Sequence, residues 1–136
     1  MAALTDDAER NRQEGLIVKY PVAASTTIYK GALVCDNGSG YAVPGADNSN
    51  YTFIGIAVEK ADNSSGSAGD KEVRVYKTGV FEVPKSSAAA TDRSAAMYVR
   101  SDNEVATSTT NSVLAGYCVG IVDSSTIKLR IDLAAK

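Results

Sequence analysis

The chain has 136 residues, a formal net charge of −2 and a sequence pI of about 5.1. This length suits one domain, and a 44% share of hydrophobic residues allows a core that needs no metal or disulfide. The slightly acidic balance argues against nucleic-acid binding, which depends on a basic patch. No apolar run approaches the ~20 residues of a membrane helix. We therefore expect a single soluble domain that binds neither nucleic acid nor a membrane.

The residue types needed for most catalytic chemistry are scarce. Histidine is absent, which excludes Ser-His-Asp triads, Cys-His pairs and most catalytic zinc sites, but not carboxylate or lysine chemistry. The only cysteines, Cys35 and Cys118, have a spacing that matches no zinc or redox motif. The N-terminus lacks the apolar region of a signal peptide. We expect synthesis in a reducing cytoplasm with two free, buried thiols, the alternative being a disulfide between them.

Residues 1–21 are mostly polar and end in the short apolar stretch "LIVKY" before Pro21. Thr5 and Gly15 are plausible ends of one short helix, but its faces are polar all round and cannot be buried. Two interpretations are open for this segment. It is either a frayed terminus followed by an edge strand, or an arm that becomes ordered on a partner.

Short strands and turns are predicted after Pro21. "TIYKGALVCD" contains two apolar runs around Gly31, a turn or bulge position. "DNGSG" places Asn-Gly between two strand-like runs, which predicts a hairpin. "YTFIGIAVEKA", residues 51–61, predicts a continuous buried strand. In "KEVRVYKTGVFEVP", Val73 and Val75 share one face, and Gly79 is expected to shift the register.

The C-terminal part of the chain continues this pattern. Residues 85–96 predict either a loop or one helical turn, and "MYVR" and "VAT" predict two short strands around the turn "SDNE". "TIKLRIDL" alternates, with its four apolar residues Ile127, Leu129, Ile131 and Leu133 on one face. The whole pattern predicts an all-β fold, either a small antiparallel β-barrel or a two-layer sandwich, with an extended N-terminal arm.

A weak internal similarity links two parts of the chain. "FIGIAVEKAD" followed by "EVRVYKTG" resembles "CVGIVDSS" followed by "TIKLRIDL", with Gly55 and Gly120 in matching places. A glycine inside a strand often marks a bend or a close backbone approach. The similarity predicts two related units, although the common pattern of β-hairpins also accounts for it.

Motifs for catalysis or cofactor binding are not convincing. "GSAGDK" lacks the Gly-Lys-Ser/Thr ending of a phosphate-binding loop. Glu59, Asp62, Asp70 and Glu72 surround one polar loop, which is typical of a solvated rim rather than a pair of catalytic acids. Ser39, Ser64, Ser65 and Ser67 have no base nearby in the sequence. We therefore predict no catalytic residue, no metal site and no cofactor, and a protein that is not an enzyme.

The order of the segments resembles the bacteriophage capsid decoration (cement) proteins. The most specific segments are "PVAASTTIYKGALV", "GYAVPG" and "TGVFEVP", and the resemblance extends from about Leu4 to Leu133. It implies a structural protein on the outer surface of the virion, made in the bacterial host cytoplasm. It also implies a β-rich body, residues 22–136, that forms homotrimers at three-fold or quasi-three-fold positions of the shell.

The resemblance further implies that residues 1–21 are an arm that binds the major capsid protein. The expected anchors are apolar and basic residues of this segment: Leu4, Arg10, Arg12, Leu16, Ile17, Val18, Lys19 and Tyr20. The candidate trimer contacts are Tyr76, Val80, Phe81, Val83 and Tyr98. The alternative function is a ligand- or carbohydrate-binding β-module on a virion surface.

Overall fold

A computed structural model describes residue 6, residues 15–132 and residues 134–136. These residues form short β-strands and one 3₁₀ helix, Ala90–Asp92. The strands are β1 (Ile17–Pro21), β2 (Thr26–Ile28), β3 (Leu33–Asp36), β4 (Ala42–Pro44), β5 (Thr52–Ala57), β6 (Ala61–Asn63), β7 (Glu72–Tyr76), β8 (Val80–Pro84), β9 (Ala96–Val99), β10 (Val105–Ala106), β11 (Leu114–Asp123) and β12 (Thr126–Arg130).

The strands form three antiparallel sheets. The first sheet has the order β1-β7-β5-β3-β4, the second sheet has the order β10-β9-β11-β12-β8, and β2 and β6 form a two-stranded cover. A single parallel bridge between Val22 and Ala42 links the chain after β1 to β4, so the first sheet curls towards closure. The prediction of an all-β fold is confirmed, and the architecture is sandwich-like with an additional cover.

Two hydrophobic cores hold these layers together. The main core lies between the two large sheets and contains Leu33, Cys35, Phe53, Met97 and Leu129 among others. The second core lies between the first sheet and the cover and contains Ile28, Val34, Ile54, Val73 and Val75 among others. The first sheet is therefore buried on both faces, which explains why β5 reads as a continuous apolar run.

Several local predictions are confirmed. "DNGSG" connects β3 to β4 as a hairpin, in which the Asp36 carboxylate accepts hydrogen bonds from the backbone N–H groups of Gly38 and Gly40. Val73 and Val75 share the buried face of β7, and Ile127, Leu129 and Ile131 are fully buried. The fourth predicted residue of that face, Leu133, lies outside the described residues. Residues 85–95 form a loop that contains the 3₁₀ helix, and Ala96 begins β9.

The cysteines behave as predicted, because Cys35 and Cys118 are both free and buried in the main core. Burial is the main reason why the pKa of the Cys35 thiol rises to about 12. A backbone hydrogen bond with Ala46 opposes this shift, and the neighbouring Asp36 carboxylate adds to it. Both side chains act as small apolar residues.

The two large sheets are repeats of one topology. Each strand of the first sheet has a counterpart at the same place in the second sheet: β1 corresponds to β8, β3 to β9, β4 to β10, β5 to β11 and β7 to β12. The register matches residue by residue: Val34 pairs with Gly55 and Leu33 with Ile56, while Met97 pairs with Gly116 and Ala96 with Tyr117. The same bulge precedes both glycines. This agreement favours two related units over a chance similarity of hairpins.

The glycine that matches Gly55 is Gly116, and the prediction of Gly120 was wrong. Gly55 and Gly116 have φ angles of 147° and 154°, and a Cβ on either would lie 2.2 Å from a carbonyl oxygen of the neighbouring strand. Gly120 has no such conformation and would meet only the Lys128 side chain. The sequence could not separate the two glycines because the bulges that set the register are not visible in it.

The connection around Gly79 also differs from the expectation. The chain does not shift register within one strand, because residues 77–79 separate β7 in the first sheet from β8 in the second. The Asp132 carboxylate holds this crossing by accepting hydrogen bonds of 2.7 Å from the Thr78 hydroxyl and from the backbone N–H of Gly79.

Candidate interaction surface

The repeat reveals one sheet face that no described residue covers. In the first sheet, the face of Leu33, Phe53 and Ile56 packs in the main core. Their counterparts Ala96 and Tyr117 in the second sheet lie on its outer side, and Leu114 shares that side but is half-buried and also packs against the main core. We call this outer side the open face, and its residues are Val80, Ala96, Tyr98, Leu114, Tyr117 and Arg130. The register therefore places surface residues where the other repeat has buried ones.

The open face is partly apolar. Val80 is 53% exposed, Tyr117 is 36% exposed, and Val119 at the adjoining bulge is 47% exposed. Tyr98 and Leu114 are half-buried. Clustered apolar side chains on a surface are typical of a site that contacts another protein, and tyrosine is enriched at such sites because its ring is apolar and its hydroxyl polar.

Two arginines frame a shallow depression on this face. Arg93, Tyr117, Val119 and Arg130 line it together with Ser94 and Cys118, and its volume is about 490 Å³. The Arg130 guanidinium also donates a hydrogen bond of 3.2 Å to the Asp132 carboxylate. The two arginines surround the Tyr117 ring in a depression that is shallow. Such a site suits an acidic or polar protein segment better than a small molecule, which normally binds in a deeper and more enclosed pocket.

The strands β1 and β8 occupy equivalent edges of the two sheets. The residues of β1 and β8 correspond in order: Ile17 to Val80, Lys19 to Glu82 and Pro21 to Pro84. This correspondence follows from the strand pairing, because Ile17 pairs with Tyr76 in the first sheet as Val80 pairs with Arg130 in the second. No further strand of residues 15–132 pairs with β8 on its outer side. Within the described part of the chain, only the bridge at Val22 continues the first sheet beyond β1.

The described residues of the predicted arm belong to the body. β1 pairs with β7 over its whole length, so residues 17–21 form an edge strand rather than a free segment. Leu16, Ile17 and Lys19 are exposed, whereas Val18 and Tyr20 are half-buried. The boundary expected at residue 21 therefore does not separate an arm from the body. Leu4, Arg10 and Arg12 lie outside the described residues, and a capsid-binding role for the segment stays a prediction.

Tyr20 shows how firmly β1 is attached. Its ring packs against the second core, and its hydroxyl donates a hydrogen bond to the Asp36 carboxylate. Burial, this hydrogen bond and the Asp36 charge raise the pKa of Tyr20 to about 12. Burial alone would raise the pKa of Asp36, but hydrogen bonds from Tyr20, Gly38 and Gly40 outweigh that effect and lower it.

The candidate trimer contacts divide into two groups. Val83 is buried in the main core, and Phe81 packs on Tyr76 with 5.5 Å between the ring centroids. Phe81 and Val83 face inward because alternate residues of β8 point to opposite faces, and Tyr76 of β7 packs against the same core. Val80 and Tyr98 lie on the open face. Sequence reasoning missed Tyr117, whose exposure follows only from the register with Ala96.

Three of the four acidic residues around the polar loop have structural partners. Glu59 pairs with Arg74, Asp62 accepts hydrogen bonds from Thr27 and the Ser64 backbone, and Asp70 accepts one from the Ser67 backbone. Within the part of the chain that the structure describes, no three His, Cys, Asp or Glu residues are grouped so as to hold a metal ion. No helix in that part is long and apolar enough to span a membrane.

The comparisons with known proteins agree with this architecture. The family model of the phage cement proteins matches residues 12–131. The crystal structure of the N base of head fiber gp8.5 in bacteriophage phi29 has a TM-score of 0.52 with 16% sequence identity, and the match covers 89% of this chain and 98% of that one. This likeness concerns the fold alone. No curated protein matches the chain significantly. The family match extends over both repeats and the open face, and the chain belongs to the phage cement protein family.

Proposed function

We propose that the chain decorates the outer surface of an assembled phage capsid as a homotrimer at three-fold or quasi-three-fold positions. In this role it bridges neighbouring major capsid proteins and stabilises the shell. Family membership supports a structural, capsid-associated role in the virion. The finer parts of the proposal rest on the surface of the protein.

The open face is the observation that carries the proposal. Tyr117 is exposed there at a position whose counterpart in the first sheet, Ile56, is only 4% exposed in the main core, whereas Val80 and its counterpart Ile17 are both exposed. The open face therefore has the strand register of a packed layer, but no described residue covers it, and such a face suits contact with a second protein. We propose the major capsid protein as that partner, with residues N-terminal to β1 as an additional contact.

Bridging explains how such a protein stabilises a shell. A ligand that binds only the assembled state stabilises that state by mass action. Three copies in one trimer provide three contacts, so each contact can be weak while the whole complex is tight. This physical argument requires no catalytic group.

Co-sedimentation with expanded, undecorated shells of the same phage tests the proposal. We expect the full chain to pellet saturably, and Tyr117→Ser to weaken binding about tenfold, as expected for a central interface tyrosine. Tyr29→Ser is the matched control, because Tyr29 is 60% exposed and lies after β2, in the cover. Equal binding by Tyr117→Ser and the native chain would contradict a role for the open face.

The N-terminal segment requires a separate variant. Removal of residues 1–14 leaves β1 and its pairing with β7 intact, whereas removal of residues 1–20 would delete most of an edge strand. The shorter truncation therefore tests the segment without disturbing the body. We expect it to weaken sedimentation with shells while the free energy of unfolding stays within about 0.5 kcal/mol of the native value.

A further inference from the structure

The edges of β1 and β8 are complementary to each other. Their outward residues are Ile17, Lys19 and Pro21 on one edge and Val80, Glu82 and Pro84 on the other. The two edges thus carry the same sequence of apolar residue, charge and proline, but the charges have opposite sign. We propose that β1 of one copy pairs with β8 of a neighbouring copy, in antiparallel fashion, with Lys19 opposite Glu82. This deepens the homotrimer of the proposed function and rests on it.

The hydrogen-bond pattern determines which residues face each edge. In β1, the Leu16 carbonyl accepts from Lys77 and the Val22 N–H donates to Lys71, so even-numbered residues bond to β7. The backbone N–H and C=O groups of Ile17 and Lys19 therefore point outward, because the direction alternates along an antiparallel strand. These groups are the donors and acceptors that a further strand requires.

The same alternation applies to β8. The Lys85 N–H donates to the Ser125 carbonyl, and the Gly79 carbonyl accepts from Ile131 at the other end. Odd-numbered residues therefore bond to β12, and Val80 and Glu82 point their backbone groups outward. Pro84 has no N–H and ends the edge, as Pro21 does in β1.

A ladder centred on Lys19 and Glu82 uses these outward-pointing groups. The two residues exchange both of their backbone hydrogen bonds, and the Ile17 N–H faces the Pro84 carbonyl of the neighbouring copy. Side chains directly opposite in such a ladder lie on the same face, so the ammonium and carboxylate groups of the pair come together. The two prolines keep the ladder short.

Charge selects this pairing over the symmetrical ones. If β1 paired with β1, Lys19 would face Lys19, and if β8 paired with β8, Glu82 would face Glu82. Like charges directly opposite each other are unfavourable, which disfavours both arrangements. A contact between two different edges is heterologous, and such contacts generate closed rings when the rotation permits. A ring of three matches the proposed trimer.

Disulfide trapping tests the contact in solution, without shells. Directly opposite residues that exchange hydrogen bonds have Cα atoms about 5.5 Å apart, which suits a disulfide. We expect an equimolar mixture of Lys19→Cys and Glu82→Cys to form covalent dimers rapidly under mild oxidation. We expect the double variant Lys19→Cys/Glu82→Cys to form a covalent series that closes at three copies. The native cysteines are buried and do not interfere.

The single variants are the controls. Lys19→Cys alone and Glu82→Cys alone should cross-link at least about tenfold more slowly than the mixture. Equal rates, or no cross-linking of the mixture at high protein concentration, would overturn the proposal. Closure at two copies would retain the edge contact but reject the ring of three. Because no capsid is present, this result is independent of whether the protein sediments with shells.

Charge reversal provides a second, non-covalent measurement. We expect Lys19→Glu and Glu82→Lys each to weaken self-association roughly three- to tenfold by sedimentation velocity, and the double reversal to restore it. No restoration in the double reversal would contradict a direct Lys19–Glu82 pair. Lys30→Glu is a matched control, since Lys30 is an exposed base that follows β2 in the cover and lies on neither edge strand.

Discussion

Gly55 and Gly116 occupy the same position in the two repeats. A Cβ at Gly55 would lie 2.2 Å from the Tyr76 carbonyl oxygen, and one at Gly116 would lie 2.2 Å from the Arg130 carbonyl oxygen. Both glycines also have positive φ angles that residues with a side chain rarely adopt. The central strand of each sheet therefore approaches its neighbour in a way that only glycine permits.

Alanine at either glycine should destabilise the fold strongly. We expect Gly55→Ala and Gly116→Ala each to cost more than about 3 kcal/mol, because strain at φ and a backbone clash act together. Gly120→Ala is the matched control and should cost less, since its Cβ would meet only the flexible Lys128 side chain. Urea denaturation of the three variants measures the difference, and equal costs at Gly116 and Gly120 would contradict the repeat register.

Asn63 is a buried amide that connects β6 to distant backbone. Its side-chain Nδ2 donates hydrogen bonds of 3.0 Å to the carbonyl oxygens of Ala23 and Ser67. We expect Asn63→Ala to destabilise the protein by about 1–3 kcal/mol because both carbonyl groups lose this donor. Asn103→Ala, at an exposed turn, should change stability by less than about 0.5 kcal/mol. Matching losses in the two variants would show that the cover does not depend on Asn63.

Stability should fall in acid because the carboxylate that holds the β7–β8 crossing has a low pKa. The Thr78 hydroxyl, the Gly79 N–H and Arg130 lower the pKa of Asp132. Its contribution is fully present above the unfolded pKa of about 4 and is lost as the pH falls through the lower folded pKa. We expect Asp132→Asn to lower the urea midpoint at pH 7. The gap from the native protein should narrow towards pH 2, and a constant gap would contradict this assignment.

Neither thiol should react in the folded protein. Cys35 and Cys118 are buried, and the pKa of Cys35 is raised to about 12, so little thiolate exists at neutral pH. We expect an aromatic disulfide reagent at pH 8 to label no thiol before unfolding and two thiols in denaturant. Rapid labelling of the native protein would contradict the packing of the main core.

Much of the fold is predictable from local patterns. The strict alternation of β7 and β12 identifies both strands, and Asn37-Gly38 identifies the hairpin between β3 and β4. The cover was not predicted, because β2 and β6 are only three residues each and are stabilised by the second core rather than by their own sequence.

The candidate surface was less predictable than the fold. The attachment of β1 depends on β7, which lies far along the chain, so "LIVKY" could not be distinguished from a free arm. Tyr117 and Phe81 are both aromatic strand residues, yet one is on the open face and the other in the interior. Their orientation depends on the bulges and pairings of the second sheet, which only the three-dimensional register reveals.

Electron cryomicroscopy of undecorated shells incubated with the protein is the decisive test of capsid decoration. We expect added density outside the shell at three-fold or quasi-three-fold positions, with Tyr117 and the rest of the open face against the coat protein. Absence of added density would contradict the decoration role. Density in which the β2–β6 cover faces the shell would contradict the assignment of the open face.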